Sequence, residues 1–262
     1  MSYDTLLFDV SDSVATISLN RPDSANALNV QMAEELLEVV IQCDADASIR
    51  AAVLMGEGKM FCAGGDVGLF ASAGDQVTAL LKQMTTTIHA SISRMSRMDT
   101  PVVSAIHGAC AGGAIGLGAS ADLVIAGESA KFTTAYTAIG VSPDGCSTYL
   151  LPRLIGLRKT QELFLTNRRI DAQEALAIGL VTEVVPDSDL RSRAHELAAQ
   201  LAQGPTRAHG EIKRLLAGTF GNGMETQMEL ESRGIAALAD SADGREGIAA
   251  FAAKRRPKFN GI

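Results

Sequence analysis

The sequence predicts an α/β fold in which parallel, helix-covered strands fill roughly the first 195 residues and helices alone fill the rest. Three observations carry this. Short, wholly apolar runs recur (AAVLM at 51–55, VVSAI at 102–106, LVIA at 123–126), and strands buried on both faces read as continuous apolar runs rather than alternations. The first two lead into glycine-rich segments and then a helical pattern, so one strand–turn–helix unit is reused, too divergent to be a strict repeat. Beyond about residue 187 no strand pattern is left.

Taken in order, TLLFDV (5–10) and VATISL (14–19) predict a hairpin across the polar turn Ser11–Ser13. Met32, Leu36, Val39, Val40 and Cys43 fall at helical spacing and predict a helix over 30–45. The buried strand 51–55 follows, then the glycine-rich 56–67 and a long helix over about 76–97. After Pro101 comes the strand 102–106, then the glycine-rich HGACAGGAIGLG at 107–118. The strand 123–126 leads through KFTT to the loop AIGVSPDGCS at 138–147. Helices are expected at 187–203, 206–218, 222–239 and 243–253, broken at Gly204–Pro205 and Gly221–Gly223. Two regions result, 1–195 and 196–262. The second has faces too apolar to stand alone; such a tail docks on its own domain or on a neighbouring subunit, and a homo-oligomer is expected.

Bulk properties narrow the function. A chain of 262 residues with 47% hydrophobic and 20% charged residues folds as a globular protein. A net charge of -7 argues against nucleic acid. The one basic cluster is Lys254, Arg255, Arg256 and Lys258. Cys43, Cys62, Cys110 and Cys146 lack CxxC or CxxH spacing, so neither metal nor redox pair is expected. No apolar run reaches the roughly 18 residues of a membrane span, and no signal peptide is visible, so a cytoplasmic location with no membrane partner is expected.

There is no P-loop, no GxGxxG and no HExxH, and GVSPDG misses the nucleophile-elbow spacing. Of the four histidines, only His107 lies in a glycine-rich segment, where a structural hydrogen-bonding role is expected. What remains are the two glycine-rich turns, Phe61–Asp66 (FCAGGD) and Ala111–Gly116 (AGGAIG). Small residues leave backbone N–H groups unshielded, and a turn that opens a helix presents N–H groups lacking intrahelical partners. Two such donors converging on one oxygen form an oxyanion hole. Tight packing alone would use the same residues.

The order RPDSANALN (21–29), MFCAGGD (60–66), DTPVVSAIHGACAGGAIGL (99–117), ADLVIA (121–126), PRLIG (152–156), ALAIGLVTEVV (175–185) and FAAKRRPKF (251–259) resembles the crotonase, or enoyl-CoA hydratase/isomerase, superfamily. The resemblance covers nearly the whole chain. It implies a crotonase-like spiral of ββα units, with 1–195 as the acyl-CoA-binding core and 196–262 as a helical trimerisation region, in a trimer or dimer of trimers. It implies an acyl-CoA substrate, with coenzyme A as part of that substrate and no separate cofactor. Carried over by residue, the N–H groups of Ala63 and Gly113 would be the oxyanion donors. Arg21, Ser24, Ala25, Gly64, Gly65, Asp66, Val67, Gly112 and Tyr136 would lie around the bound thioester. Lys254 and Phe259 would approach the CoA phosphate or adenine, on an adjacent subunit where needed.

The chain departs from the hydratase pattern at both catalytic carboxylates. Their positions hold Gly116 and Tyr136, so hydration by two glutamates has no acids to work with. Asp144 in SPDGCS matches an aspartate that dienoyl-CoA isomerases, ring-opening epoxyphenylacetyl-CoA isomerases and aromatic acyl-CoA dehalogenases place in this loop. The expectation is therefore an isomerase-type enzyme with Asp144 as acid/base. The alternatives are a hydratase or hydrolase with other acid–base groups, or an acyl-CoA-binding protein without turnover. Cys62, Cys110 and Cys146 are expected to be small packing residues.

Overall fold

The computed structural model describes residues 3–262. The chain opens with an antiparallel hairpin of β1 (Leu6–Ser11) and β2 (Val14–Leu19). Helix α1 (Val30–Ala45) begins where the Asn29 side chain accepts the Met32 N–H at 2.8 Å, satisfying one of the unpaired donors of a helix N-terminus. Its stripe of Met32, Ala33, Leu36, Val39, Val40 and Cys43 is buried, as the spacing predicts.

Three ββα units follow. The first has β3 (Ala51–Gly56), the extended run 61–65, and helices α2 (Val67–Ser72) and α3 (Val77–Met95). The second has β4 (Val102–Ile106), β5 (Ala109–Ala111) and α4 (Gly113–Ala119). The third has β6 (Leu123–Gly127), β7 (Lys131–Thr133), α5 (Ser147–Ile155) and α6 (Leu157–Thr166). Then come β8 (Ile170–Asp171), α7 (Ala172–Ala177), β9 (Glu183–Val185) and α8 (Leu190–Ala202), and last α9 (Thr206–Gly218), α10 (Met224–Ala239) and α11 (Ala242–Ala252).

The first strand of each unit enters a six-stranded sheet of order β1-β2-β3-β4-β6-β9, parallel from β2 onward. The second strands of units two and three form a small sheet, β5-β7-β8. The sequence reads β5 as part of a glycine-rich turn and assigns KFT no element, because three-residue strands carry no periodicity. The chain bends between the two sheets at Gly108, where φ is +55° and an added Cβ would lie 2.3 Å from the Lys59 carbonyl oxygen. Only glycine suits that conformation and that space.

The large sheet is covered on both faces. Leu54, Ile106 and Val124 face α1, α3 and α4 in one core, where Leu36, Ile92 and Leu117 are buried. Val53, Val103, Ala105 and Ile125 face Leu190, Ala194, Ala198 and Ala202 of α8 in the other. Residue 195, where the sequence divides the chain, therefore lies inside the helix that covers this sheet. The helices beyond Gly204–Pro205 are tied back by Lys213, a buried residue whose ammonium group donates to the Thr100 carbonyl and pairs with Asp122, each at 2.9 Å. No helix among the described residues is long and apolar enough to cross a membrane.

Candidate active site

The run 61–66 lies between two strands of chain. On one side Cys62 and Cys110 face each other in a parallel bridge, with Cys62 N–H donating to the Ala109 carbonyl (3.1 Å) and Ala111 N–H to the Cys62 carbonyl (3.0 Å). On the other side Leu28 N–H donates to the Gly64 carbonyl (2.7 Å) and Asp66 N–H to the Leu28 carbonyl (2.9 Å). An added Cβ on Gly64 would sit 2.6 Å from the Ala111 oxygen and 3.4 Å from the Gly112 Cα, so the two glycine-rich segments touch.

These bonds decide which N–H groups are free. Ala63, expected as a donor, is not available: its N–H donates to the Ala25 carbonyl at 3.0 Å. Gly64 N–H points at the Cys62 sulfur (3.3 Å), and Gly112 N–H donates to the Thr133 carbonyl (3.0 Å). The N–H groups of Gly65 and Gly113 have no acceptor among the described residues. The first donor therefore moves from Ala63 to Gly65. The sequence held a signal for this: the tetrapeptide CAGG occurs twice, at 62–65 and 110–113. The cross-strand pairing of Cys62 with Cys110 sets the two copies side by side.

Asp144 stands over the second donor. Its Oδ1 lies 3.2 Å from where a Cβ on Gly113 would be, and it accepts a hydrogen bond from the Tyr136 hydroxyl at 2.8 Å. Tyr136 is buried. Burial first, then the Asp144 charge and the hydrogen bond to it, push the hydroxyl above its ordinary value. It stays protonated and donates. Ser147 closes the turn, its hydroxyl donating to the Asp144 carbonyl at 2.6 Å. Gly145 N–H donates to His89 Nε2 at 3.1 Å, which ties the loop to α3. His89 carries no local signature in the sequence, being one polar residue on a mixed helix.

Gly116 is filled rather than merely small. An added Cβ there would lie 1.9 Å from the Gly145 carbonyl oxygen. No side chain fits while the Asp144 loop is in place.

The other expected residues divide. Asp66 caps α2, accepting the Leu69 N–H at 3.1 Å, and pairs with Arg21 at 3.1 Å. Arg21 thereby braces the loop, its guanidinium also donating to the Ala27 carbonyl at 2.5 Å. Ser24 ends a short 3-10 turn, Pro22–Ser24, and Ala25 follows it with φ +54°. Buried Asn26 pins this segment to the next loop, donating to the carbonyls of Glu57, Met60 and Phe61. Val67 opens α2 and is exposed. Lys254 and Phe259 are not brought to this site within one chain. The Phe259 carbonyl accepts from Arg50 (3.1 Å) just before β3, whereas the site lies beyond the other end of that strand, roughly 17 Å away at about 3.3 Å per residue.

His107 Nε2 lies 3.0 Å from the Gly58 carbonyl, the structural role expected of it. Cys62 and Cys110 are fully buried, and burial raises the Cys62 thiol to about 12 and the Cys110 thiol as well. Neither supplies a thiolate nucleophile. Chemically, two free donors beside a tethered carboxylate can hold an oxygen that gains negative charge while the carboxylate moves a proton nearby.

The family profile described as Enoyl-CoA hydratase/isomerase matches residues 9–261. A Rhodobacter capsulatus protein described as "Probable enoyl-CoA hydratase" is 38% identical over 261 residues, covering 100% of each chain. An Escherichia coli 1,2-epoxyphenylacetyl-CoA isomerase is 35% identical over 264 residues, covering 98% of each. The crystal structure of an enoyl-CoA hydratase/isomerase from Cupriavidus metallidurans superposes with a TM-score of 0.91 at 33% identity, covering 100% of this chain and 98% of that one.

Proposed function

The chain belongs to the enoyl-CoA hydratase/isomerase family, with its crotonase fold, and from that premise we propose that it moves a double bond along an enoyl-CoA through a thioester enolate. The thioester oxygen accepts the N–H groups of Gly65 and Gly113. Asp144 takes a proton from the carbon α to the carbonyl, and the electron pair of the C–H bond moves onto that oxygen. The same carboxylate returns the proton further along the acyl chain, and the double bond is displaced. Nothing is oxidised or reduced, and coenzyme A enters only as part of the substrate. Each donor of this kind contributes about 10² to 10³ in rate.

The observation that carries the reading is the carboxylate of Asp144 seated over Gly113, 3.2 Å from its vacant side-chain position and held by Tyr136. The same loop fills the space at Gly116 that a hydratase acid would need. The test is solvent exchange of α-protons in deuterated water over a small acyl-CoA panel. Asp144→Asn is expected to abolish exchange and double-bond migration while acyl-CoA binding stays within a few-fold. Unchanged turnover in that variant would refute the assignment.

A second reading, hydration of a 2-enoyl thioester, is favoured by the Rhodobacter relative described as a hydratase. It requires acid–base groups other than two glutamates at 116 and 136, and incorporation of labelled water oxygen would reveal it. Release of free CoA would instead mark a hydrolase, and binding with no exchange a protein without turnover.

The apolar side chains left exposed on the last helices, among them Leu216, Phe220, Met224, Met228, Ile235 and Phe251, support assembly of copies into a trimer or dimer of trimers. In such an assembly Lys254 and Phe259 would reach the CoA of a neighbour. Sedimentation equilibrium tests the assembly; a monomer at micromolar concentration would exclude it.

A further inference from the structure

The vacant side-chain positions of the two donor glycines are both covered, and by unlike groups. At Gly113 the cover is the Asp144 carboxylate. At Gly65 it is the ring of Phe70, whose Cζ and Cε2 lie 2.6 and 2.8 Å from where a Cβ would stand. Phe70 is placed there by a short chain of constraints. Asp66, braced by Arg21, caps α2, and Phe70 N–H donates to the Asp66 carbonyl at 3.0 Å in the first turn. Helix α2 packs on α3, and α3 carries His89, which holds the loop of Asp144. The two glycine segments touch, Gly64 against Gly112, so ring and carboxylate cover neighbouring stretches of the donor-bearing backbone. Phe70 is only half-buried, so part of the ring remains free to meet a ligand.

We propose that Phe70 is the specificity-determining wall of the acyl site. It admits thioesters that are flat and unbranched at the carbon next to the carbonyl, such as 2-enoyl groups, and excludes those with a substituent on that carbon. The proposal rests on the enolate reading of the site. A planar acyl group can lie against the aromatic face with its α-carbon turned to Asp144. A substituent on the α-carbon would have to displace a ring that already touches the donor-bearing backbone. One methyl group too many in a closed slot typically changes selectivity by about 10- to 200-fold.

The experiment is calorimetric titration of crotonyl-CoA and 2-methylcrotonyl-CoA into wild type, Phe70→Ala and Phe70→Leu. Expected is a ratio of dissociation constants, branched over unbranched, that falls at least tenfold in Phe70→Ala and by less in Phe70→Leu. Both ligands weakening by the same factor, or the ratio staying as in wild type, would overturn the assignment. Solvent exchange of butyryl-CoA α-protons by the wild type is read separately. Its absence would count against the enolate reading while the binding ratio still decides the role of Phe70.

Discussion

The carbonyl oxygen of Gly145 occupies the space where a side chain on Gly116 would stand, 1.9 Å from the ideal Cβ position. The obstacle is backbone, not the movable end of a side chain, so relief requires the whole Asp144–Cys146 turn to shift. Gly116→Ala is therefore expected to lower stability by about 3 kcal/mol, the upper range for overpacking, and to cut turnover by 100-fold or more because Asp144 moves with the turn. Urea unfolding and steady-state kinetics check both. Gly116→Glu should fare no better as an installed hydratase acid. A gain of hydration in that variant would show that the turn yields.

Tyr136 and Asp144 form the second relationship on which the chemistry depends. The hydroxyl donates to the carboxylate and tethers it over Gly113. Tyr136→Phe removes the donor at 2.8 Å and keeps the ring that packs near Phe164. With the carboxylate no longer held over Gly113, kcat is expected to fall about tenfold with KM changed little, checked by steady-state kinetics. An unchanged kcat would assign Tyr136 to packing alone.

His89 acts on the same loop from the other side. Its Nε2 accepts the Gly145 N–H, so the neutral ring carries its proton on Nδ1. His89→Ala leaves that N–H unpaired and lets the carboxylate wander. Displacements of about 1 Å cost on the order of 100-fold in an oriented reaction, so kcat should fall about 10- to 100-fold with KM nearly constant. His89→Gln supplies an amide oxygen and should recover part of the loss. Equal losses in both variants would mean that the bulk of the ring matters, not its acceptor nitrogen.

These residues also mark how far the sequence can be read. Helix α1 is legible because its apolar stripe is a local signal, and β3 and β4 are legible as wholly apolar runs. The small sheet is not, since ACA and KFT are too short for a period to register. The resemblance assigns the first-loop donor to Ala63, but a sequence does not say which N–H groups are spent. Ala63 is spent on Ala25, a partner supplied by tertiary folding. Asp144 was identified through resemblance to relatives with a loop aspartate, whereas His89 and Phe70 act through contacts with distant loops. Arg21 and Asp66, expected beside the substrate, pair with each other, and Asp66 caps α2.

His209 offers a stability test away from the site. Burial first, and the nearby Arg50 and Lys213 charges after it, lower its proton affinity below the ordinary value of 6.5, with Asp122 opposing. Its Nδ1 is buried with no partner among the described residues. Below pH 6.5 the unfolded chain binds a proton that the folded chain refuses, so the unfolded state is favoured by protonation. The contribution is thus fully present above pH 6.5, lost as pH falls from there to the depressed folded value, and constant below it. The urea midpoint should drop between pH 7 and pH 5, and the drop should be smaller in His209→Gln, which cannot titrate. Parallel pH dependences in the two proteins would assign the effect to other groups, among them His195, which burial also shifts downward.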